Sequence, residues 1–264
     1  FRIAGKQGAF RGYVHPYSMQ EDPLTNQGHL LGGAKHFPVD AALAVVEGLE
    51  VMTRANKGGY IVWHHMLNNG FRITPTGGED SITNLFRTAI VGQARTYVYL
   101  GDTLLNWDAW LKGLFEGRTF ITNGPLLRFS VNGALPGGEI KLPAGGGKVT
   151  LKGTVECIVP LSTVKIYNNG DVIDEIPLEQ NGKCATFNRT INVNKSGWFT
   201  LMAEGDGPAH PIDDLYPQAS TNAVRVLVDD QPIRSKESAE YFIQWIDTLQ
   251  GLTEADTRWR TEEE

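Results

Sequence analysis

The chain has 264 residues, a length typical of one or two domains, and its 41% of hydrophobic residues excludes a fully disordered protein. It carries 24 basic and 30 acidic side chains, and the net charge of −6 provides no bulk attraction for nucleic acid or an anionic membrane surface. No apolar run approaches the roughly 18 residues of a membrane-spanning helix. We therefore expect neither nucleic acid nor a membrane among its partners.

Strands and helices alternate up to residue 125, which favours βα units and a mainly parallel sheet in a first domain, 1–125. We predict strands at 10–15, 49–53, 71–74 and 94–100. Helices are predicted from Pro38, over 59–69 and from Trp107 to Gly117, with loops at 18–36 and 75–80. The helix that begins at Pro38 is predicted to bury Val39, Ala42, Leu43 and Val46.

Short strands separated by turn signals follow Pro125. The alternating runs lie at 126–131, 148–155, 163–169, 184–193, 197–204 and 223–228. Asn-Gly pairs such as Asn169-Gly170 are a strong hairpin signal, so we predict an antiparallel β-sandwich over 126–230. A helix is predicted from Ser235 within a C-terminal segment, 231–264, with a buried face made of Ala239, Phe242, Ile243, Ile246 and Leu249.

The ends of the chain and its two cysteines bear on processing and location. The sequence does not begin with Met, and it closes on a Thr261-x-x-Glu264 capping pattern with no helix after it, so we interpret it as a piece of a longer protein. Cys157 and Cys184 fit either a cross-strand disulfide or two buried thiols, and we favour two free thiols. We favour a periplasmic or secreted location over a cytoplasmic one.

Two polar residues follow predicted strands, where α/β proteins place their ligands and bases. His15 closes the first strand, and Asp80 follows a Thr-Gly-Gly loop; Asp80 also fits the N-cap of a helix that begins at 81. His64 and His65 are adjacent on a predicted helix and point about 100° apart, so they cannot easily bind one metal.

Several families of enzyme are excluded by missing motifs. The chain has no phosphate-binding loop, no Gly-x-Ser-x-Gly elbow, no Cys-x-x-Cys and no His-Glu-x-x-His. A metal-assisted or acid–base site around His15 and Asp80 is the enzymatic interpretation that remains. Catalytic zinc usually takes three protein ligands, so others would come from upstream or from Glu50, His29 or His36.

Several stretches in the same order resemble the carbaryl hydrolase-like (CehA/McbA) family of metallohydrolases, within the PHP (polymerase and histidinol phosphatase) superfamily. They are 13–17 (YVHPY), 37–43 (FPVDAAL), 49–52 (LEVM), 67–72 (LNNGFR), 78–81 (GEDS), 117–125 (GRTFITNGP) and 241–247 (YFIQWID). The run GRTFITNGP is the most distinctive of them. The resemblance spans nearly the whole chain.

The resemblance implies a distorted (β/α) barrel that binds divalent metals, zinc or manganese, at its strand ends. His15 matches the metal-binding His of the family's His-Pro strand. Asp80 matches the family's metal-facing Asp, and Glu50 matches a position that is usually acidic in the family. The family's early His-x-His strand would lie upstream of Phe1, so the chain would hold the C-terminal part of the barrel. A partner segment or self-association is expected at the open barrel edge, and the chain alone is expected to be a poor catalyst.

The function predicted from these residues is metal-dependent hydrolysis of a small-molecule ester, carbamate, amide or phosphoester. The bound metal would activate water, with His15 as a ligand and Asp80 as a ligand or base. The alternative is a non-catalytic binding or adaptor module, in which the β-sandwich binds a ligand and the barrel half is degenerate. Exposed Tyr167 and Trp198 would favour that alternative, but their alternation with polar neighbours predicts core positions.

Overall fold

The structure, a computed structural model, describes residues 1–17, 19–26, 30, 34–52, 57–81, 91–212 and 216–255. Its helices are α1 (Arg2–Lys6), α2 (Phe37–Ala42), α3 (Gly58–Asn68), α4 (Trp107–Phe115) and α5 (Lys236–Glu254). Its strands are β1 (Gly12–Tyr13), β2 (Gly48–Met52), β3 (Thr74–Gly77), β4 (Arg95–Val98), β5 (Thr119–Thr122), β6 (Leu126–Val131), β7 (Glu139–Leu142), β8 (Gly147–Glu156), β9 (Thr163–Asn168), β10 (Asp171–Glu175), β11 (Cys184–Val193), β12 (Gly197–Glu204), β13 (Gln218–Thr221) and β14 (Val224–Val228). The protein is thus mixed α/β, with most of its regular structure in sheets.

A small parallel sheet is formed by the first three strands, in the order β1-β2-β3. Every residue of the central strand β2 is buried, as expected for a strand covered on both faces. Arg11 fixes the start of this sheet, because its backbone N–H and its Nε both donate to Glu47 Oε2 at 2.9 Å. The parallel arrangement brings the carboxyl ends of all three strands to one edge.

Two further sheets pack face to face as a sandwich. The smaller one has the order β11-β8-β6 and is antiparallel throughout. The larger one contains β10-β9-β12-β13-β5-β4, with β14 also paired to β12 and β7 paired to β14. The pairing of β14 with β7 is parallel, and the other pairings in this sheet are antiparallel.

Strand β12 joins the two hydrophobic cores. Phe199, Leu201 and Ala203 face the core between the sandwich sheets, whereas Trp198 and Met202 face a second core built on α3, α5 and the parallel sheet. Side chains alternate along a strand, so a strand that is buried on both faces reads as an almost unbroken apolar run. The large sheet is therefore a wall that the two halves of the molecule share.

The sandwich confirms the antiparallel pattern predicted after Pro125. Strands β6, β11 and β12 have the predicted bounds, and no helix interrupts the chain between 148 and 204. Asn169 and Gly170 join β9 to β10 as a two-residue turn with φ of 53° and 96°, the left-handed pair of a type I′ hairpin. Strands β7, β10 and β13 are additions that the sequence pattern missed.

The first 125 residues differ from the prediction in their sheets. The parallel sheet has three strands, because β4 and β5 run antiparallel to each other and β5 pairs with β13 of the sandwich. The large sheet thus includes strands from both sides of Pro125. The strand predicted at 71–74 is wrong by three residues: β3 begins at Thr74, and Pro75 pairs with Leu49. Proline is tolerated there because β3 is an edge strand of this sheet.

Two predicted helix faces are corrected. The short helix α2 buries Phe37, Pro38 and Ala41, while Val39 is 41% exposed and Leu43 is 57% exposed. The helix ends at Ala42 with Leu43 as its C-cap, and Ala44 takes a left-handed φ of 53°, so the helix is too short to form the predicted face. In α4 the buried residues are Gly113 and Leu114, and Trp107 is exposed.

Helix α5 starts as predicted, since Ser235 Oγ accepts a hydrogen bond from the Ser238 N–H as an N-cap. Its buried residues, however, are Ser238, Tyr241, Phe242 and Trp245, and the predicted Ala239, Ile243 and Ile246 are exposed. Two aromatic rings determine this face because their polar atoms find partners inside. The Tyr241 hydroxyl donates to Asp22 Oδ1 at 2.7 Å, and Trp245 Nε1 donates to the Lys35 carbonyl at 3.1 Å.

Candidate functional site

The candidate site lies at the carboxyl edge of the parallel sheet. His15 comes two residues after β1, Glu50 lies within β2, and Asp80 comes three residues after β3. Parallel strands of one sheet end at a common edge, so residues that are distant in sequence meet there. The structure thus brings His15 and Asp80 together at this edge, with Glu50 on the central strand beside the loop that carries Asp80.

His15 and Asp80 approach each other closely. The distance from His15 Nε2 to Asp80 Oδ2 is 3.8 Å, and the two side chains are 46% and 66% exposed. This separation exceeds hydrogen-bond length, but two bonds of about 2.1 Å to one ion span it. The pair is open to solvent, as a site that receives a substrate must be.

Both residues have unusual backbone conformations. His15 has φ of 33° and Asp80 has φ of 51°, in the left-handed region that residues other than glycine rarely adopt. His15 also precedes Pro16, which by itself favours an extended conformation at the preceding residue. Seven other described residues that are not glycine also have a positive φ, so this conformation accompanies the site and does not by itself identify it.

Glu50 lies next to the loop that carries Asp80, and it is only 7% exposed. Its carboxylate packs on Gly78, since a β-carbon built on that glycine would lie 3.1 Å from Glu50 Oε2. The Gly78 N–H donates to the Met52 carbonyl at 3.1 Å, which ties the start of the loop to the end of β2. Glu50 thus contacts the loop that carries Asp80 at Gly78, two residues before Asp80.

A His and an Asp are a donor pair that suits zinc or manganese. Within the described residues, no group of three or more His, Cys, Asp or Glu side chains is arranged to hold a metal ion. The predicted helix that Asp80 would cap lies, from 82 onward, outside the described residues.

Tyr13 connects β1 to the neighbouring helix α2. Its hydroxyl donates to Asp40 Oδ2 at 2.5 Å, and its ring packs edge-on against Phe37. Partial burial, together with this hydrogen bond, raises the pKa of the Tyr13 hydroxyl above its ordinary value. Tyr13 therefore stays protonated at neutral pH and fixes the strand that leads to His15.

His64 and His65 lie on α3 as predicted and have separate surroundings. His64 is enclosed by the rings of Tyr60, Trp63, Tyr167 and Trp198. Burial, with a smaller contribution from His65, lowers the pKa of His64 to about 3. His65 stacks on Tyr241 with ring centroids 4.0 Å apart, and its Nδ1 lies 2.9 Å from Ser238 Oγ. The two rings therefore pack against different aromatic neighbours and do not face one common point.

The remaining histidines are dispersed. His36 and His210 are both exposed, and His36 precedes α2 without capping it through its side chain. His29 lies outside the described residues. The candidate site in the described part of the chain thus rests on His15, Asp80 and Glu50.

The distinctive stretch 117–125 has a structural role. Asn123 links β5 to the segment before β13, donating to the Tyr216 carbonyl at 2.8 Å and accepting from the Gln218 N–H at 2.7 Å. Thr122 Oγ1 donates to the Pro125 carbonyl at 2.6 Å and accepts from the Gly124 N–H at 2.9 Å. These bonds turn the chain from one sandwich sheet into the other.

The two cysteines are free thiols, as predicted. Cys157 directly follows β8 and Cys184 begins the neighbouring strand β11, because Cys184 pairs with Glu156 and the Cys157 N–H donates to the Lys183 carbonyl at 2.8 Å. Successive residues point to opposite faces of a sheet, so Cys157 faces the core and Cys184 the outer face. Burial raises the pKa of the Cys157 thiol.

Trp198 and Tyr167 occupy core positions, as predicted. Trp198 is fully buried, and its Nε1 donates to Asn68 Oδ1 at 2.8 Å. Tyr167 is half-buried and packs against the same core. Neither ring forms an exposed platform for a carbohydrate, so this part of the binding-module alternative loses its support.

No protein-family model, curated protein or solved structure matches the chain significantly. No helix in the described part of the chain is long and apolar enough to cross a membrane. What the chain does is therefore inferred from its own geometry.

Proposed function

We propose that the chain is a metal-dependent hydrolase, or part of one, whose metal is bound by His15 and Asp80 at the carboxyl edge of the parallel sheet. The observation that carries this proposal is the 3.8 Å separation of His15 Nε2 and Asp80 Oδ2. The distance is too long for a hydrogen bond and fits two ligands of one ion. The substrate would be a small ester, carbamate, amide or phosphoester.

The fold assignment is part of the same proposal. The parallel order β1-β2-β3, with His15, Glu50 and Asp80 at its carboxyl edge, supports the C-terminal part of a PHP-like barrel. The resemblance to the carbaryl hydrolase-like family would place zinc or manganese at this edge. Further ligands of the ion would come from outside the described residues.

Each residue has a distinct role in this proposal. A bound divalent metal would lower the pKa of water towards about 7 and polarise the oxygen of the scissile group. His15 would bind through Nε2, the ring nitrogen that faces Asp80. Asp80 would bind through Oδ2 or accept a proton from the attacking water. Glu50 would position the Asp80 loop through its contact with Gly78, without touching the substrate.

Metal binding tests the proposal directly. Calorimetric titration of the metal-free chain with Zn²⁺ and with Mn²⁺ should show one site, and His15→Ala and Asp80→Asn should each weaken binding at least about tenfold. His210→Ala is the matched control, because it removes an exposed histidine of the sandwich. Metal affinity that neither site variant changes would contradict the proposal.

Hydrolysis is the second measurement. Aryl acetates, aryl N-methylcarbamates and an aryl phosphodiester would be offered to the metal-loaded chain, and we expect slow turnover of at least one class above the rate with metal alone. His15→Ala should remove that turnover, while circular dichroism confirms that the variant is folded. Turnover that persists in His15→Ala would place the chemistry elsewhere.

A further inference from the structure

A large groove lies in the sandwich half, between strands β4 and β5 on one side and β6 and β8 on the other. Its volume is about 990 Å³, at the upper end of what small-molecule sites enclose. Leu135 and Pro136, in the loop after β6, also line it. None of the groove's lining residues belongs to the candidate metal site.

The walls of the groove are mainly apolar and partly open to solvent. Tyr97 and Phe120 stack almost parallel, with ring centroids 4.8 Å apart and planes 8° from each other. Tyr97 is 42% exposed, Tyr99 55% and Leu126 47%. Exposure of apolar surface to water is unfavourable. Where such surface is concentrated in one groove of a soluble protein, it commonly marks a binding site.

Cationic side chains border this apolar surface. Arg128 lies opposite Thr154, and Lys152 lies opposite Ser130, so the two cations are diagonal neighbours on one face of the β6–β8 pair. In the part of the chain that the structure describes, neither makes a salt bridge or a side-chain hydrogen bond. Arg118, also in the groove, is paired with Glu116 at 2.9 Å.

One acidic side chain, Glu156, also lines the groove. The balance of Arg118, Arg128 and Lys152 against Glu156 is positive, although the whole chain carries −6. An apolar trough bordered by two neighbouring cations is complementary to a ligand with an apolar body and one anionic group. A neutral ligand would leave those cations unmatched.

A second copy of the chain fits the groove poorly. In a two-fold dimer the same patch faces itself, which would bring Arg128 and Lys152 of one copy towards their counterparts. Like charges placed opposite each other disfavour such a contact. A small anionic ligand neutralises both cations and covers the aromatic wall without that repulsion.

We propose that this groove binds an amphipathic monocarboxylate. Its apolar chain would lie along Tyr97, Phe120 and Leu126, and its carboxylate would pair with Arg128 and Lys152. This inference is independent of the proposed hydrolase activity, because it uses none of the residues at the parallel sheet.

Calorimetric titration with sodium decanoate at pH 7 tests the inference, with decanol as the uncharged probe of the same chain length. We expect decanoate to bind at one site and decanol at least about tenfold more weakly. The double variant Arg128→Gln/Lys152→Gln should lower decanoate affinity about tenfold and leave decanol affinity unchanged. Lys148→Gln is the matched control, since Lys148 lies on the same face of β8 outside the groove.

A second variant tests the apolar wall. Leu126→Ser removes an exposed apolar side chain and should weaken both probes, with an unchanged thermal midpoint showing that the fold is intact. Absence of decanoate binding, or binding that the double cationic variant leaves unchanged, would overturn the inference. A dimer in sedimentation velocity that Leu126→Ser dissociates and decanoate does not would also overturn it, because the groove would then be an interface between copies.

Discussion

The carboxylate of Glu50 lies so close to Gly78 that a β-carbon on this glycine would make an unusually tight contact with it. A β-carbon at Gly78 would lie 3.1 Å from Glu50 Oε2 and 3.2 Å from Glu50 Cδ. Glu50 is buried and belongs to the central strand of the parallel sheet, so it can give way only slightly. Gly78 therefore determines how closely the loop that ends in Asp80 approaches the sheet.

Gly78→Ala should displace either the Glu50 carboxylate or the Asp80 loop. The φ of Gly78 is not left-handed, so the effect arises from the contact and not from backbone strain. We expect a loss of about 1–2 kcal/mol in the free energy of unfolding. Zinc or manganese affinity should fall about tenfold, as is typical when a residue that supports a ligand is disturbed.

Urea unfolding and metal titration measure these two effects separately. Gly207→Ala is the control, because a β-carbon there would meet no atom within 4 Å and its φ is also unexceptional. Equal metal affinities for Gly78→Ala and Gly207→Ala would show that the Glu50–Gly78 contact does not position the site.

His64 should make the protein less stable in acid. Its pKa is about 3 in the folded protein, against about 6.5 in the unfolded chain, because burial among aromatic rings disfavours the charged ring. Between these two pH values the unfolded state binds a proton that the folded state does not. Stability therefore falls as pH drops below about 6.5, by at most about 1.4 kcal/mol per pH unit from this group, and levels off below about 3.

His64→Phe removes this titration and keeps an aromatic ring in the cluster. Urea unfolding at pH 7, 5 and 4 should show a smaller loss of stability for His64→Phe than for the original chain. His210→Ala, at an exposed position, should follow the original chain. If His64→Phe lost as much stability as the original chain over this range, burial of neutral His64 would not be the cause.

Gly251 and Gly170 should respond to alanine in opposite directions. Gly251 lies in α5, and a β-carbon there would meet no atom within 4 Å, so Gly251→Ala should raise the free energy of unfolding by about 0.5–1 kcal/mol. Gly170 has φ of 96° in the β9–β10 hairpin, which a residue with a β-carbon adopts only with strain. Gly170→Ala should therefore lower the free energy of unfolding by about 1 kcal/mol or more. Thermal melting of both variants compares them, and stabilisation by Gly170→Ala would contradict the turn assignment.

The two thiols should both react without reductant. Cys157 and Cys184 point to opposite faces of the β8–β11 ladder, so a disulfide between them would need the strands to rearrange. Titration with a thiol reagent in denaturant should count two free thiols in chain purified without reductant. A count of zero would be incompatible with this strand register.

Local patterns predicted much of the sandwich. In strands β6, β11 and β12, apolar and polar side chains alternate or the side chains are apolar throughout. Asn169-Gly170 readily adopts the left-handed turn between β9 and β10. Neighbouring residues therefore suffice to predict these elements. His15, Asp80 and Glu50 were identified from strand ends and family resemblance. The groove was not predicted; the signal that could have found it is Tyr97 and Tyr99, which alternation places on one side of the strand predicted at 94–100.

The sequence by itself determined where the long sandwich strands and the β9–β10 turn form, since those depend on side-chain alternation and on residues such as Gly170 that tolerate a positive φ. Tertiary structure decided which strands pair: β5 joins β13 across nearly 100 residues, and periodicity carries no information about partners. It also decided the buried face of α5, where the large rings of Tyr241 and Trp245 are buried with their polar atoms hydrogen-bonded and Ile243 and Ile246 stay exposed. The 3.8 Å approach of His15 to Asp80 likewise required parallel strands to end at one edge, which no local pattern specifies.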